Sequence, residues 1–117
     1  EGEAAMVGAM DRGWREAQGL HKVVSLTRDL FRRPLLPDEL KLFDAVVIDP
    51  PRAGAAAQIA ELAQSTVKVV AAVSCNPVTF ARDARVLVDA GFKLDWVQVV
   101  DQFRWSGHVE LAAKFSR

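Results

Sequence analysis

The chain has 117 residues, half of them hydrophobic, with fifteen basic and fifteen acidic side chains and no net charge. This is the composition of one soluble globular domain with a modest core; it excludes a disordered chain and argues against a strongly basic nucleic-acid surface, while leaving room for a local basic patch. The single cysteine excludes an internal disulfide and any all-cysteine metal site, so no metal is expected, and with neither a run of the roughly 18 to 20 apolar residues of a membrane span nor a signal-peptide layout the chain reads as cytoplasmic.

From Glu3 to about Gln18, the residues Met6, Met10, Trp14 and Ala17 recur at three- and four-residue spacing, which predicts a helix with one apolar face, stopped by Gly19. The runs KVVSLT (Lys22 to Thr27) and FDAVVI (Phe43 to Ile48) predict strands, the second ending at Asp49-Pro50-Pro51. Between them Pro34 and Pro37 favour a loop with a helical turn over a full helix. Ala55 to Gln64 is an alanine-rich helical stretch with Ile59, Leu62 and Ala63 on one side, and Val67 to Val73 predicts the next strand. Pro77 to Ala90 predicts a helix, with Phe80, Ala84, Leu87 and Val88 turned inward and Arg82, Asp83, Arg85 and Asp89 toward water, closed by Gly91. Lys93 to Val100 and Val109 to Phe115 predict two strands whose link is too short for a crossover helix, so they should pair antiparallel.

Strand alternating with helix implies an α/β fold: a parallel sheet with helices on both faces and an antiparallel pair at the C-terminal end. Ligands in such sheets bind beyond the carboxyl ends of the strands. That rule selects DPPR after the FDAVVI strand, SCNP after the next strand, and the DQFRWSGH link.

Each place has an ordinary reading beside a chemical one. A lone cysteine after a buried strand is commonly a small apolar core residue, yet Cys75 stands just ahead of a helix starting at Pro77, where free N–H groups and the dipole favour a thiolate nucleophile. Asp49-Pro50-Pro51-Arg52 is either a rigid turn with its own ion pair or a loop whose two prolines aim Asp49 elsewhere. Glu110 falls at the start of a strand, where glutamate is depleted unless it faces solvent or has a task. His21, after a helix-ending glycine, reads as an exposed loop residue.

Together, DPPRAG (Asp49 to Gly54), SCNPVTFARD (Ser74 to Asp83) and DQFRWSGHVE (Asp101 to Glu110) resemble the C-terminal motifs of the RNA (uracil-5-)-methyltransferases, in the family's order. The resemblance covers most of the chain from about Thr27 onward. One departure is visible: the family has Pro-x-Thr after the phenylalanine, where this chain has Arg104-Trp105-Ser106.

The resemblance implies a Rossmann-like class I methyltransferase sheet, S-adenosylmethionine as cofactor, and uridine in a tRNA or rRNA as target. It implies Cys75 as the nucleophile toward carbon 6 of uracil and Glu110 as the base that removes the carbon 5 proton. Asp49 would lie between cofactor and uracil, contacting both, and Arg52 would support its loop or a phosphate. Glu1 matches the acidic residue that binds the cofactor ribose, and Asp29 the position near the adenine. No glycine-rich strand-to-helix turn of the kind that holds the methionine part occurs, so residues 1–117 are expected to be the C-terminal portion of one catalytic domain, inactive alone, with the first strand and that turn missing. The alternatives are a non-catalytic α/β interaction module with a buried structural cysteine, or an S-adenosylmethionine-dependent enzyme acting on another nucleic-acid or amino target.

Overall fold

The computed structural model describes residues 1–117. Its elements, in chain order, are α1 (Ala4–Glu16), α2 (Pro37–Leu40), β1 (Ala45–Ile48), α3 (Ala56–Gln64), β2 (Val69–Ser74), α4 (Pro77–Asp89), β3 (Lys93–Val100) and β4 (Glu110–Ser116). The four strands form one mixed sheet in the order β1-β2-β4-β3. β1 runs parallel to β2, with Ala45 beside Val69 and Ile48 beside Ala72. β4 enters antiparallel between β2 and β3, so Val69 lies opposite Ser116 and Ser74 opposite Leu111 on one side, and Val100 opposite Glu110 on the other.

The period-2 pattern decides which face is covered. Val70, Ala72 and Ser74 of β2 and Leu111, Ala113 and Phe115 of β4 are buried alternately along their strands. Ile59 and Leu62 of α3, Leu87 of α4, Leu40 and Phe92 join them in one core, and each fully buried Leu or Phe contributes about 1.5–3 kcal/mol. Both α3 and α4 therefore lie on this face, lining a shared seam with Ile48, Ala72 and Phe115. The opposite face, which carries Val47, Trp96 and Val100, has no comparable cover: Val47 is 77% and Trp96 50% exposed, and no residue of α1 is buried.

Four expectations change. The helices expected on both faces of the sheet pack on one, since α1 buries nothing against the other, and Val88, expected to turn inward, is exposed. KVVSLT forms no strand; residues 22–27 are irregular, because no sheet edge lies beside them to take their backbone N–H and C=O groups. The segment is held instead by side chains of α1, with Trp14 Nε1 donating to His21 O at 3.0 Å and Ser25 Oγ donating to Asp11. Asp83 does not face water: it is buried, and its Oδ2 accepts the backbone N–H of Ala55 at 2.8 Å. Ala55, at the start of α3, has no side-chain oxygen to cap that helix, so a carboxylate from the neighbouring helix takes a donor there.

The chain near the C-terminus is tied to the core by Arg117. Its guanidinium donates to Val67 O at 2.9 Å and Ala63 O at 3.1 Å and lies 4.0 Å from the centre of the Phe92 ring. No helix is long and apolar enough to cross a membrane.

Candidate active site

β1 and β2 are parallel, so the residues that follow them leave the sheet at the same edge. Asp49 follows β1 directly and Cys75 follows β2 directly. β4 runs the opposite way, so its first residue, Glu110, starts at that edge as well. Since Ser74 pairs with Leu111, the next position along the same register aligns Cys75 with Glu110. Antiparallel pairing thus juxtaposes a thiol and a carboxylate 35 positions apart (110 − 75).

Both side chains are half-buried and line one cleft of about 550 Å³, together with Arg52, Phe103, Arg104 and His108. Its size is in the range of roughly 300–1,000 Å³ typical of small-molecule sites. One side is the turn into α4. Asn76 caps that helix by accepting from Val78 N at 3.0 Å, and Pro77 occupies the first turn, where its missing N–H costs nothing. The thiol therefore sits beside the positive end of a thirteen-residue helix. The other side is the loop between β3 and β4, in which Trp105 is fully exposed and adopts a left-handed backbone (φ 64°). This is the stretch where the chain departs from the Pro-x-Thr pattern.

Arg52 reaches the cleft from the loop after β1, with Nη1 3.0 Å from His108 Nδ1. Asp49 is exposed at the same edge but is not among the residues that line the cleft. Glu1 and Asp29 lie together elsewhere: Arg28 N donates to Glu1 O at 2.8 Å, and a Cβ on Gly2 would stand 4.0 Å from the Asp29 Cα. The Glu1 carboxyl accepts the Glu3 N–H at 2.9 Å, a bond that holds it below its ordinary value. Asp29 accepts from Phe31 N at 2.9 Å and Arg32 N at 3.3 Å, closing its own turn. Of the candidate residues, Cys75, Glu110 and Arg52 are brought together, Asp49 stands at the same edge, and Glu1 and Asp29 form a separate pair.

Sequence reasoning did not single out His108, Asn76, Thr79, Arg82 or Asp83. The last four hold the loop after β1. Asn76 Nδ2 donates to Arg52 O at 2.9 Å, Thr79 Oγ1 lies 3.2 Å from the same oxygen, and Arg82 donates to Ala53 O at 3.1 Å. A signal was present: 79, 82 and 83 recur at three and four residues, one face of a helix that is polar where it should meet a neighbour.

A family described as tRNA (uracil-5-)-methyltransferase matches residues 16–117. A protein of Mesorhizobium japonicum named an uncharacterized RNA methyltransferase is 57% identical over 113 residues, which are 97% of this chain and 27% of that protein. The 23S rRNA (uracil(1939)-C(5))-methyltransferase of Yersinia enterocolitica is 38% identical over 98% of this chain and 26% of its own length. Among solved structures, the Pyrococcus abyssi tRNA (uracil-54, C5)-methyltransferase in complex with S-adenosyl-L-homocysteine is similar with a TM-score of 0.56 and 42% identity, over 62% of this chain and 18% of that one. The chain thus spans little more than a quarter of the curated relatives it matches. With a family match over residues 16–117 and the motif-bearing loops of that family gathered at one sheet edge, the chain belongs to the tRNA (uracil-5-)-methyltransferase family.

Proposed function

We propose that the protein containing these residues methylates carbon 5 of a uridine in RNA through a covalent adduct on Cys75. The observation that carries this reading is the convergence of Cys75 and Glu110 on one cleft at the carboxyl edge of the sheet. Carbon 5 of uracil is a poor nucleophile. Addition of the Cys75 thiolate to carbon 6 breaks the ring double bond and moves its electrons toward carbon 5 and the adjacent carbonyl. S-adenosylmethionine, when bound, supplies an electrophilic methyl group to that carbon. The Glu110 carboxylate then takes the carbon 5 proton, the double bond re-forms, and the thiolate is expelled. A base inside a stacked strand cannot reach such a cleft, so the target nucleotide must be turned out. Arg52, at the rim, takes a phosphodiester oxygen of that nucleotide, and Asp49 holds the base from the start of the same loop.

The fit to the cofactor is partial. Glu1 and Asp29 stand on adjoining backbone segments and carry carboxylates suited to the hydroxyl donors of a ribose and the amino donor of an adenine, so they would hold the adenosine half. The cradle for the methionine half is proposed to lie in the part of the longer protein outside residues 1–117, on the reading that these residues form one portion of a single catalytic domain.

The test uses the full-length protein with S-adenosylmethionine and an RNA carrying 5-fluorouridine. Fluorine cannot leave as a proton, so a protein–RNA adduct that survives denaturing electrophoresis is expected, and Cys75→Ala should abolish it. A Cys75→Ala protein that methylates uridine at the normal rate would remove the thiol from the mechanism.

A further inference from the structure

The stretch Ser74 to Asp83 carries the thiol, but only Cys75 of it lines the cleft; Thr79, Arg82 and Asp83 point at the loop after β1. That loop has little structure of its own. Its one backbone–backbone bond within residues 49–54 runs from Gly54 N to Pro51 O at 2.8 Å, since Pro50 and Pro51 have no N–H to give. Three backbone groups of this loop and of Ala55, which follows it, go to α4 and its cap in an ordered series. Arg52 O accepts from Asn76 Nδ2 and lies within reach of the Thr79 hydroxyl, Ala53 O accepts from Arg82, and Ala55 N donates to Asp83. Asp83 in turn accepts Arg82 Nε at 2.9 Å, so the two charges fix each other. The contact leaves no space. Gly54 has φ +79°, and a Cβ there would stand 2.4 Å from Arg82 Nη2 and 2.7 Å from Asp83 Oδ2.

We infer that the first two turns of α4 are a clamp that sets the Arg52 guanidinium opposite Cys75, which makes Thr79 and Asp83 positioning residues acting through Arg52. The main chain of Arg52 is held by α4 and its side chain by His108, so both ends are anchored and the charge stays in the cleft. The same helix thereby carries the nucleophile at its N-terminus and aims the cation that faces it. The value of this to the reaction rests on the methyl-transfer reading above, because that cation is what meets the phosphate of the turned-out nucleotide.

The clamp can be read without RNA. Iodoacetate and iodoacetamide differ by one negative charge and little in size, so their relative rates at Cys75, followed by peptide mass spectrometry in the full-length protein at low salt, report the cation beside the thiol. Arg52→Ala should lower the iodoacetate-to-iodoacetamide ratio about threefold to tenfold. Thr79→Val and Asp83→Asn should lower it in the same direction, Thr79→Ser should restore it, and Thr79→Val added to Arg52→Ala should lower it no further. Where Asp83→Asn costs the fold, Thr79→Val alone decides. A Thr79→Val protein with a lower melting temperature and an unchanged ratio would show that the contacts are only structural and overturn the inference, as would a Cys75 that neither reagent modifies. These outcomes leave the Cys75→Ala methylation result untouched, so the two readings fail separately.

Discussion

Arg52 Nη1 lies 3.0 Å from His108 Nδ1, across 56 positions of sequence. A guanidinium only donates, so Nδ1 is the acceptor and the ring proton belongs on Nε2. The contact ties the loop after β1 to the loop before β4, on opposite sides of the thiol. His108→Ala should free the guanidinium and raise the KM for RNA about fivefold, with a smaller change in kcat, because the lost group orients a binding residue. His108→Asn keeps an acceptor and should lose less. Steady-state methylation with labelled S-adenosylmethionine measures both, and equal losses for Ala and Asn would remove the hydrogen bond from the explanation.

Glu110 begins β4 and shares the cleft with Cys75. Glu110→Gln preserves shape and removes the base proposed above, so on that mechanism addition and methylation should proceed while elimination stalls. A methylated protein–RNA adduct should then accumulate on ordinary uridine, with turnover down by about 100-fold or more. Denaturing electrophoresis reads it directly. A Glu110→Gln protein that turns over normally and traps nothing would assign proton removal to another group.

Gly54 combines a left-handed backbone with the tightest approach in the clamp. Gly54→Ala should destabilise by about 2 kcal/mol or more, from the backbone conformation and the displacement of Arg82 and Asp83 together. Urea unfolding of the variant checks the amount. A loss no larger than a few tenths would mean that the loop shifts freely and α4 does not fix it.

Arg28 meets Glu39 through two parallel bonds, Nη1 to Oε1 at 2.6 Å and Nη2 to Oε2 at 2.9 Å, and donates to Arg33 O and Pro34 O besides. The guanidinium hydrogen bonds, with help from the Leu36 N–H, lower the Glu39 carboxyl from 4.5 to about 2. A carboxyl with a depressed folded-state value stabilises above its unfolded value and loses that contribution as pH falls through the folded one. The stability gap between wild type and Glu39→Gln should therefore be full above about pH 4.5 and close progressively toward pH 2. Urea midpoints across that range test it, and a gap that stays constant would deny the pair any role in folding.

Much of this architecture was legible because it follows from local pattern. β-branched runs marked β1 and β2, the Pro77 start and Gly91 end marked α4, and the short link marked the antiparallel pair. The motifs placed Cys75 and Glu110 on the same edge by topology alone. KVVSLT misled because a strand is a property of two chains: its residues suit a pleat, but no partner lies beside them. Asp83 misled for a related reason. An acidic residue on a helix surface reads as solvated until the neighbouring loop is known, and that loop's need for acceptors and donors is set by prolines 32 and 33 positions away (83 − 51 and 83 − 50). The Arg52–His108 contact was illegible, since neither residue has a periodic neighbour to betray its direction.

The insertion of β4 between β2 and β3 imposes an order on biosynthesis. When β3 has left the ribosome, β2 still lacks the partner that separates the two, and the strand bearing Glu110 is the last of the four to emerge. Until it slots in, the nascent chain displays a thiol at the end of β2 with no carboxylate aligned to it and one wall of its cleft absent. On the mechanism proposed above, a translation product cut short before β4 would keep the thiol and lack the carboxylate assigned to release: such a copy would capture a base without letting it go.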